Sequence, residues 1–164
     1  MQPDPLLERF FGAGINSANR LQIMLQELEH HPRSTFWSSF QAVWPTCDDT
    51  WFTMDLALEA LRWNGPAVDF LSGADREFYV SLPDMIEVYR GCRLSRLRGL
   101  SWTTDRTVAA SFALGHRGIP VPDAVIASTR IPNWAVLTVS TERGESELLI
   151  DPDLLPDDLA LATL

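Results

Sequence analysis

Residues 144–150 read Gly-Glu-Ser-Glu-Leu-Leu-Ile and place two carboxylates two positions apart, directly before an apolar run. This pattern predicts a strand from Glu145 to Ile150. Because side chains alternate across a strand, we expect Glu145 and Glu147 on one face. Neighbouring like charges recur at sites that move protons or stabilise positive charge. A second interpretation stays open here, since charges at alternate positions also form the solvated face of a half-buried strand.

The region before this stretch predicts a small sheet with one helix. The expected helix begins at Thr104 or Asp105 and has Ala109 and Ala113 on its apolar side. A loop follows it, and a turn over residues 141–144 joins the last two strands into a hairpin. The predicted strands ahead of the Glu145 strand are 85–89, 99–103, 124–131 and 134–140.

The first half of the chain predicts helices. Apolar residues recur at helical spacing over 5–29, with an interruption at 12–17, and over 34–44. A clear amphipathic helix is expected from Trp51 to Trp63, capped by Asp48 or Asp49, with Leu56 among its inward residues. Further elements are a stop at 64–66 and a helix over 68–80.

The whole chain of 164 residues is predicted to be one α+β domain. Residues 1–84 form its helical N-terminal layer, and residues 85–151 form a small antiparallel sheet region. Residues 152–164 form an acidic tail that proline residues interrupt, and we expect this tail to be loosely held.

The charge pattern separates one segment from the rest. The net charge is −9, which makes nucleic acid an unlikely partner. All thirteen basic residues are arginines, and seven of them lie in residues 88–130 against two acids. Arginine binds phosphate through bidentate contacts, so this segment suits a small polyphosphate ligand. Ion pairing with the acidic first half is the alternative.

The sequence predicts a cytoplasmic protein without a membrane partner. Its N-terminus shows no secretory signal, and no apolar run approaches the ~18 residues of a membrane span. Delivery into a target cell by another route stays open. We interpret Cys47 and Cys92 as plain thiols. No histidine is placed by the sequence to activate Cys92. His116 is the single candidate, and we interpret it as a loop residue. No metal site is expected.

Three motifs occur in a fixed order. They are Tyr89-Arg90-Gly91 at the end of one strand, Ser101-Trp102-Thr103-Thr104 on another and Glu145-Ser146-Glu147 on a third. This order resembles the mono-ADP-ribosyltransferases of the R-S-E class, which include cholera-toxin-like and clostridial enzymes, and in particular their small bacterial and phage-encoded members. The resemblance covers residues 85–151. It implies a split antiparallel sheet around a cleft for NAD.

The resemblance also implies roles for the two glutamates. Cleavage of the bond between nicotinamide and ribose passes through an oxocarbenium-like transition state, which a fixed carboxylate stabilises. Glu147 would fill this role through the ribose 2′-hydroxyl. Glu145 would orient and deprotonate the acceptor side chain.

The remaining motif residues are expected to bind NAD. Arg90 would hold a phosphate, and the backbone of Gly91 would approach the nicotinamide amide because no side chain intervenes. Ser101 would hold Glu147, with Thr103 on the same face, and Tyr89 is the aromatic residue of the first motif. Ten residues separate Arg90 from Ser101, so the connecting helices of the large toxins are absent or replaced.

The resemblance implies an NAD-dependent enzyme that modifies a protein, on arginine, as a bacterial or phage effector or toxin. Two alternatives stay open. One is an NAD glycohydrolase, for which Glu147 is essential and Glu145 is dispensable. The other is a non-enzymatic binder or inhibitor built on a degenerate transferase scaffold.

Overall fold

The computed structural model describes residues 4–115, 119 and 121–164. The chain folds into two compact units, one up to Leu71 and one from Ser72 to Leu164. The helical layer predicted over residues 1–84 therefore divides, because its last helix belongs with the sheet. The predicted α+β class is confirmed. Within the described residues, no helix has the length and apolar character needed to cross a membrane.

The first unit consists of helices, as the apolar periodicity predicts. The expected interruption after the first helix is present, and the Asp4 side chain caps that helix by accepting from the Leu6 N–H at 2.9 Å. Aromatic rings of the third helix and of the 3₁₀ turn that follows it stack on one another and fill the core beside the helix. The helices are α1 (Pro5–Arg9), α2 (Arg20–Glu27), α3 (Arg33–Val43) and α4 (Met54–Asn64).

Helix α4 begins later than predicted. A 3₁₀ turn over Thr50–Thr53 precedes it, and Asp49 adopts a left-handed conformation (φ 47°), so that Thr53 occupies the cap position. The helix ends at the predicted glycine, Gly65. Leu56 was expected to point inward, and this is wrong: it is exposed, because the buried face is centred about 130° further round the helix.

The second unit carries two helices and a six-stranded sheet. The elements are α5 (Gly73–Ser81), β1 (Met85–Arg93), β2 (Ser101–Thr103), α6 (Arg106–Leu114), β3 (Ala124–Pro132), β4 (Val136–Ser140), β5 (Glu147–Ile150) and β6 (Ala160–Thr163). The strands lie in the order β4-β5-β2-β1-β3-β6, with all neighbours antiparallel. The described strands join into one sheet, although β1 and β2 are registered through the single pair Tyr89–Thr103.

Helix α6 covers one face of β1 and β3. The predicted start is confirmed, because the Asp105 side chain accepts from the Thr107 N–H at 2.7 Å and caps the helix. Ala109 and Ala113 form a buried cluster with Ile126 of β3, and Tyr89 packs against it. The small alanines allow a close approach between helix and sheet.

The C-terminal tail is held in place, contrary to the expectation of a loose segment. Strand β6 pairs with β3 and becomes the sixth strand of the sheet. The guanidinium of Arg98 donates to the carbonyls of Pro152, Leu155 and Pro156 at 2.8–3.0 Å. The acidic composition misled the prediction, since these contacts use main-chain groups that composition does not report.

Candidate functional site

A row of polar residues crosses the sheet at one level. The strand registers pair Tyr89 with Thr103, Thr103 with Glu147, and Glu147 with Ser140, while Ser128 pairs with Tyr89 on the other side. Directly paired residues in an antiparallel sheet project from the same face, with Cβ atoms about 4.5–5.5 Å apart. Five strands therefore each place one polar side chain in this row, and Glu147 is its carboxylate.

Ser101 holds the Glu147 side chain. Ser101 pairs with Leu149, two positions along β5 from Glu147, so both side chains lie on the same face. The Ser101 hydroxyl donates to Glu147 Oε1 at 2.5 Å. The contact expected between these residues is thus present, and it fixes the direction of a half-buried carboxylate.

Glu145 does not share a strand with Glu147, so the predicted strand start is wrong. Strand β5 begins at Glu147, whereas Glu145 has helical backbone angles (φ −83°, ψ −9°) and Ser146 is left-handed (φ 45°). The alternation that would place both carboxylates on one face therefore does not extend to Glu145. Two hydrogen bonds fix this turn: the Thr103 hydroxyl donates to the Glu145 carbonyl at 2.7 Å, and the Thr104 N–H donates to the Ser146 carbonyl at 3.3 Å.

Thr103 connects the acidic motif to helix α6. Its buried hydroxyl accepts from the Asp105 N–H at 3.0 Å while it donates to the Glu145 carbonyl. Trp102 takes the opposite face and is buried there, with its indole N–H donating to the Gly99 carbonyl at 2.9 Å. The predicted role of Thr103 in NAD binding stays a prediction, because its hydroxyl already has two partners.

Arg90 leaves β1 on the face opposite to Tyr89 and the polar row. Its guanidinium reaches the place where β1 and β2 separate, and donates to the carbonyls of Arg96 at 3.1 Å and Ser101 at 2.7 Å. The predicted phosphate contact stays a prediction. The structure adds a positioning role, because Arg90 ties the loop between β1 and β2 to the residue that holds Glu147.

The surroundings of the Arg90 guanidinium are close-packed. A Cβ added at Gly99 would overlap the guanidinium, so any other residue there would have to displace the Arg90 side chain. Burial lowers the pKa of Arg90, whereas the neighbouring Cys92 thiol and the Glu147 carboxylate raise it. Burial raises the pKa of the Cys92 thiol, whereas the neighbouring Arg90 cation lowers it. A buried thiol with a raised pKa agrees with the interpretation of Cys92 as an unreactive residue.

Gly91 was expected to leave its main chain open to the nicotinamide amide because it has no side chain, and this reason is wrong. A Cβ at this position would overlap the Ala109 carbonyl oxygen and lie 2.7 Å from the Ala113 amide nitrogen, both in α6. The missing side chain therefore makes room for the helix and leaves no open approach for a ligand on that side. A contact between the Gly91 main chain and NAD stays a prediction.

Tyr89 lies in the polar row and contacts α6. Burial raises the pKa of its phenol, a hydrogen bond with Glu87 raises it further, and Arg106 lowers it. Tyr89 therefore stays protonated near neutral pH. The Arg106 cation that acts on this phenol belongs to the first turn of α6.

Two hydroxyls of β4 belong to the surroundings of Glu147 and were not predicted. Ser140 pairs directly with Glu147, and Thr138 pairs with Leu149 on the same face. Both are buried, and the Thr138 hydroxyl has no hydrogen-bond partner among the described residues. The hairpin turn before Glu145 was the available signal, because it brings the end of β4 beside the start of β5.

The described residues contain no group of three or more His, Cys, Asp or Glu side chains that suits a metal ion. His116 lies outside the described residues. No protein-family model, curated protein or solved structure matches the chain.

Proposed function

We propose that the chain is an NAD-dependent mono-ADP-ribosyltransferase that modifies arginine on a protein. One observation carries the proposal: Ser101 donates through its hydroxyl to Glu147 and accepts through its carbonyl from Arg90. The three residues that give the R-S-E class its name are joined here through direct contacts of the middle one. Their resemblance in sequence order is thus accompanied by contact in space.

Glu147 is the group best suited to the chemical step. Its carboxylate is directed by Ser101 and is bordered by the hydroxyl-bearing residues Thr103 and Ser140. A negative charge held in place before the reaction stabilises positive charge that develops on a ribose, and it does so without a reorganisation cost. In the proposed reaction the ribose–nicotinamide bond breaks, a bond from ribose to an arginine nitrogen forms, and that nitrogen loses a proton.

The binding of NAD is assigned to residues around this carboxylate. Thr103 borders Glu147 in the polar row, Tyr89 follows on the next strand, and the main chain of Gly91 lies two residues beyond Tyr89 on β1. Arg90 contributes positive charge and fixes Ser101. In this proposal the fold uses Arg90 first to build the site, and any phosphate contact is made by its remaining N–H groups.

Hydrolysis of NAD is the second candidate. The observation that favours it is the backbone turn at Glu145 and Ser146, which takes Glu145 off the strand that carries Glu147. A transferase needs a group that orients the acceptor, whereas a hydrolase uses water and does not need Glu145. If the chain is a transferase, Glu145→Gln abolishes labelling of the acceptor protein while nicotinamide release continues. If it is a hydrolase, the natural chain labels no protein and Glu145→Gln leaves nicotinamide release unchanged.

Intact-mass spectrometry tests the proposal. Fractionated cell proteins are incubated with NAD and either the natural chain or its Glu147→Gln variant. A protein that gains one ADP-ribose only with the natural chain establishes transfer, and peptide mapping then shows whether arginine carries it. A bacterial or phage effector is expected to modify a defined host protein in this way.

The other outcomes replace the proposal. Release of nicotinamide without a labelled protein supports the hydrolase. No consumption of NAD, together with an unimpaired cellular effect of the Glu147→Gln variant, supports a non-enzymatic binder.

A further inference from the structure

Thr138 occupies the position on β4 that corresponds to Ser101 on β2. Both residues pair in register with Leu149 of β5, one from each side. Directly paired residues of an antiparallel sheet share a face, and Glu147 lies on that face two positions before Leu149. Ser101 and Thr138 therefore stand on the two diagonals from Glu147, a separation of about 7–8 Å that a long side chain spans.

The two hydroxyls differ in their hydrogen bonds. Ser101 donates to Glu147 Oε1 at 2.5 Å. The Thr138 hydroxyl has no partner among the described residues, and the residue is 2% exposed. A hydroxyl buried without a partner costs free energy, and valine, which has nearly the same shape, would avoid this cost. The hydroxyl at position 138 therefore indicates a role beyond packing.

A register shift in β4 aims Thr138 at the face that carries Glu147. Val136 pairs with Ile150, and the next pair is Thr138 with Leu149. Strand β4 therefore has one residue more than β5 in this interval. In a regular ladder Leu137 would stand opposite Leu149, and Thr138 would point to the other side of the sheet. Shifts of this kind are frequent next to active sites, where they redirect a side chain.

We propose that Thr138 is a second positioning residue for the Glu147 carboxylate. Its hydroxyl donates to the carboxylate when the Glu147 side chain turns from Ser101 towards β4. A carboxylate accepts about four hydrogen bonds through its two oxygens, so it has capacity for a partner on each diagonal. Hydrogen bonds at catalytic groups often tighten only when substrate is bound. The effect on turnover rests on the proposed function, whereas the contact itself does not.

A double-mutant cycle in urea denaturation tests the contact without an assay of NAD. In the natural chain Thr138→Val removes an unpartnered hydroxyl, and we expect it to raise the urea midpoint by about 0.5 M. In a Ser101→Ala background the carboxylate turns to Thr138, so the same substitution should lower the midpoint by about 0.5 M. A shift of the same sign and size in both backgrounds overturns the proposal.

Thr129→Val is the matched control for this cycle. Thr129 lies on β3 and pairs with Val88, the neighbour of Tyr89 on β1, so its side chain is on the opposite face of the sheet from the polar row. Its effect on the midpoint should be the same with and without the Ser101 hydroxyl. A change of sign for Thr129→Val as well would show that Ser101→Ala disturbs the whole sheet, and this would overturn the assignment.

Nicotinamide release tests the consequence for turnover. Thr138→Val should lower kcat by about threefold to tenfold and leave the KM for NAD unchanged, although it stabilises the fold. Thr138→Ser keeps a hydroxyl, and its kcat should lie within about twofold of the natural value. Equal kcat values for the two variants overturn the role of the hydroxyl in turnover. If the natural chain releases no nicotinamide, the proposed enzymatic function fails, and the urea cycle then decides whether Thr138 holds Glu147.

Discussion

The hydroxyl of Ser101 and the carboxylate of Glu147 are 2.5 Å apart, on adjacent strands of an antiparallel sheet. This hydrogen bond spans the diagonal between two registered pairs, so it depends on the alignment of β2 with β5. The carbonyl of Ser101 accepts from Arg90 at 2.7 Å. Ser101 therefore links the Arg90 guanidinium to the Glu147 carboxylate.

Replacing Glu147 by glutamine should stop the chemistry without affecting binding. The amide keeps the shape and a hydrogen bond, but it lacks the charge that a positive transition state requires. We expect nicotinamide release to fall by about a hundredfold to several thousandfold, with the Kd for NAD within about twofold. Chromatographic assay of nicotinamide and calorimetric titration measure the two quantities.

Glu142→Gln is the matched control for this substitution, because it removes an exposed carboxylate from the adjacent turn. Its turnover should equal that of the natural chain. Equal activity of the Glu147→Gln variant would show that the site is wrongly placed.

Ser101→Ala should loosen the Glu147 carboxylate. The substitution leaves the main-chain carbonyl that accepts from Arg90, so the loop stays attached. We expect turnover to fall about tenfold, and the free energy of unfolding to fall by about 1 kcal/mol for the lost hydrogen bond. Ser128→Ala serves as control, since Ser128 lies in the same row but well away from Glu147, beyond β2 and β1. A larger effect from the control would contradict the assigned role of Ser101.

Arg90→Ala should destabilise the fold as well as weaken NAD binding. The carbonyls of Arg96 and Ser101 lose their donor, and we expect a loss of about 2–4 kcal/mol in urea denaturation. The neighbouring Arg93 is exposed, so Arg93→Ala should change the free energy of unfolding by less than about 0.5 kcal/mol. Similar stability of the two variants would exclude the positioning role of Arg90.

Two glycine substitutions should differ in cost. At Gly91 a methyl group meets the backbone of α6, which cannot move locally, and we expect Gly91→Ala to cost more than about 3 kcal/mol. At Gly99 the methyl group meets the Arg90 side chain, which can shift, and the expected cost is about 1–3 kcal/mol. In an Arg90→Ala background Gly99→Ala should become nearly neutral. Additive costs in this double-mutant cycle would show that the two residues do not contact.

Ionisation of the buried Cys47 thiol should lower the free energy of unfolding at high pH. Burial raises the pKa of its thiol from 9.0 to about 11, while the thiol of the unfolded chain ionises near 9.0. The folded state therefore retains the proton longer than the unfolded state. The Cys47 contribution to the free energy of unfolding should be constant below pH 9 and fall between pH 9 and pH 11. Urea denaturation across this range should show a smaller decline for Cys47→Ala.

The elements of the fold follow from local patterns. The Asp105 cap, the alanines of α6 and the hairpin turn before Glu145 are each visible within a few residues of sequence, because helix caps and turns are local structures. The structure places them as expected. The contact between Ser101 and Glu147 was also anticipated, although only through the resemblance.

What the sequence did not reveal depends on the main chain or on distant neighbours. Arg90 and Arg98 donate to backbone carbonyls, which leave no trace in residue identity. Ser140 lies beside Glu147 because of the strand register. A hydrophobic pattern shows which face of the sheet a side chain occupies, but it does not show which residue of the next strand is its partner. The turn at Ser146 was not predicted, because serine rarely takes a left-handed conformation. The alternating charges were therefore assigned to a strand that began at Glu145, two residues too early.

The polar row also determines which genetic changes the chain tolerates. Its members are encoded far apart, from Tyr89 to Glu147, and meet because each strand keeps its count of residues. Deleting or inserting one residue within β2 or β5 moves the following side chains to the opposite face. Such a lesion moves Thr103 of β2 out of the row, or separates Glu147 from the register of the rest of β5, even though no codon for either residue is altered. In a library of single-codon insertions and deletions, those within β2 or β5 should therefore abolish function. Those within the turn at 141–144 should be accepted.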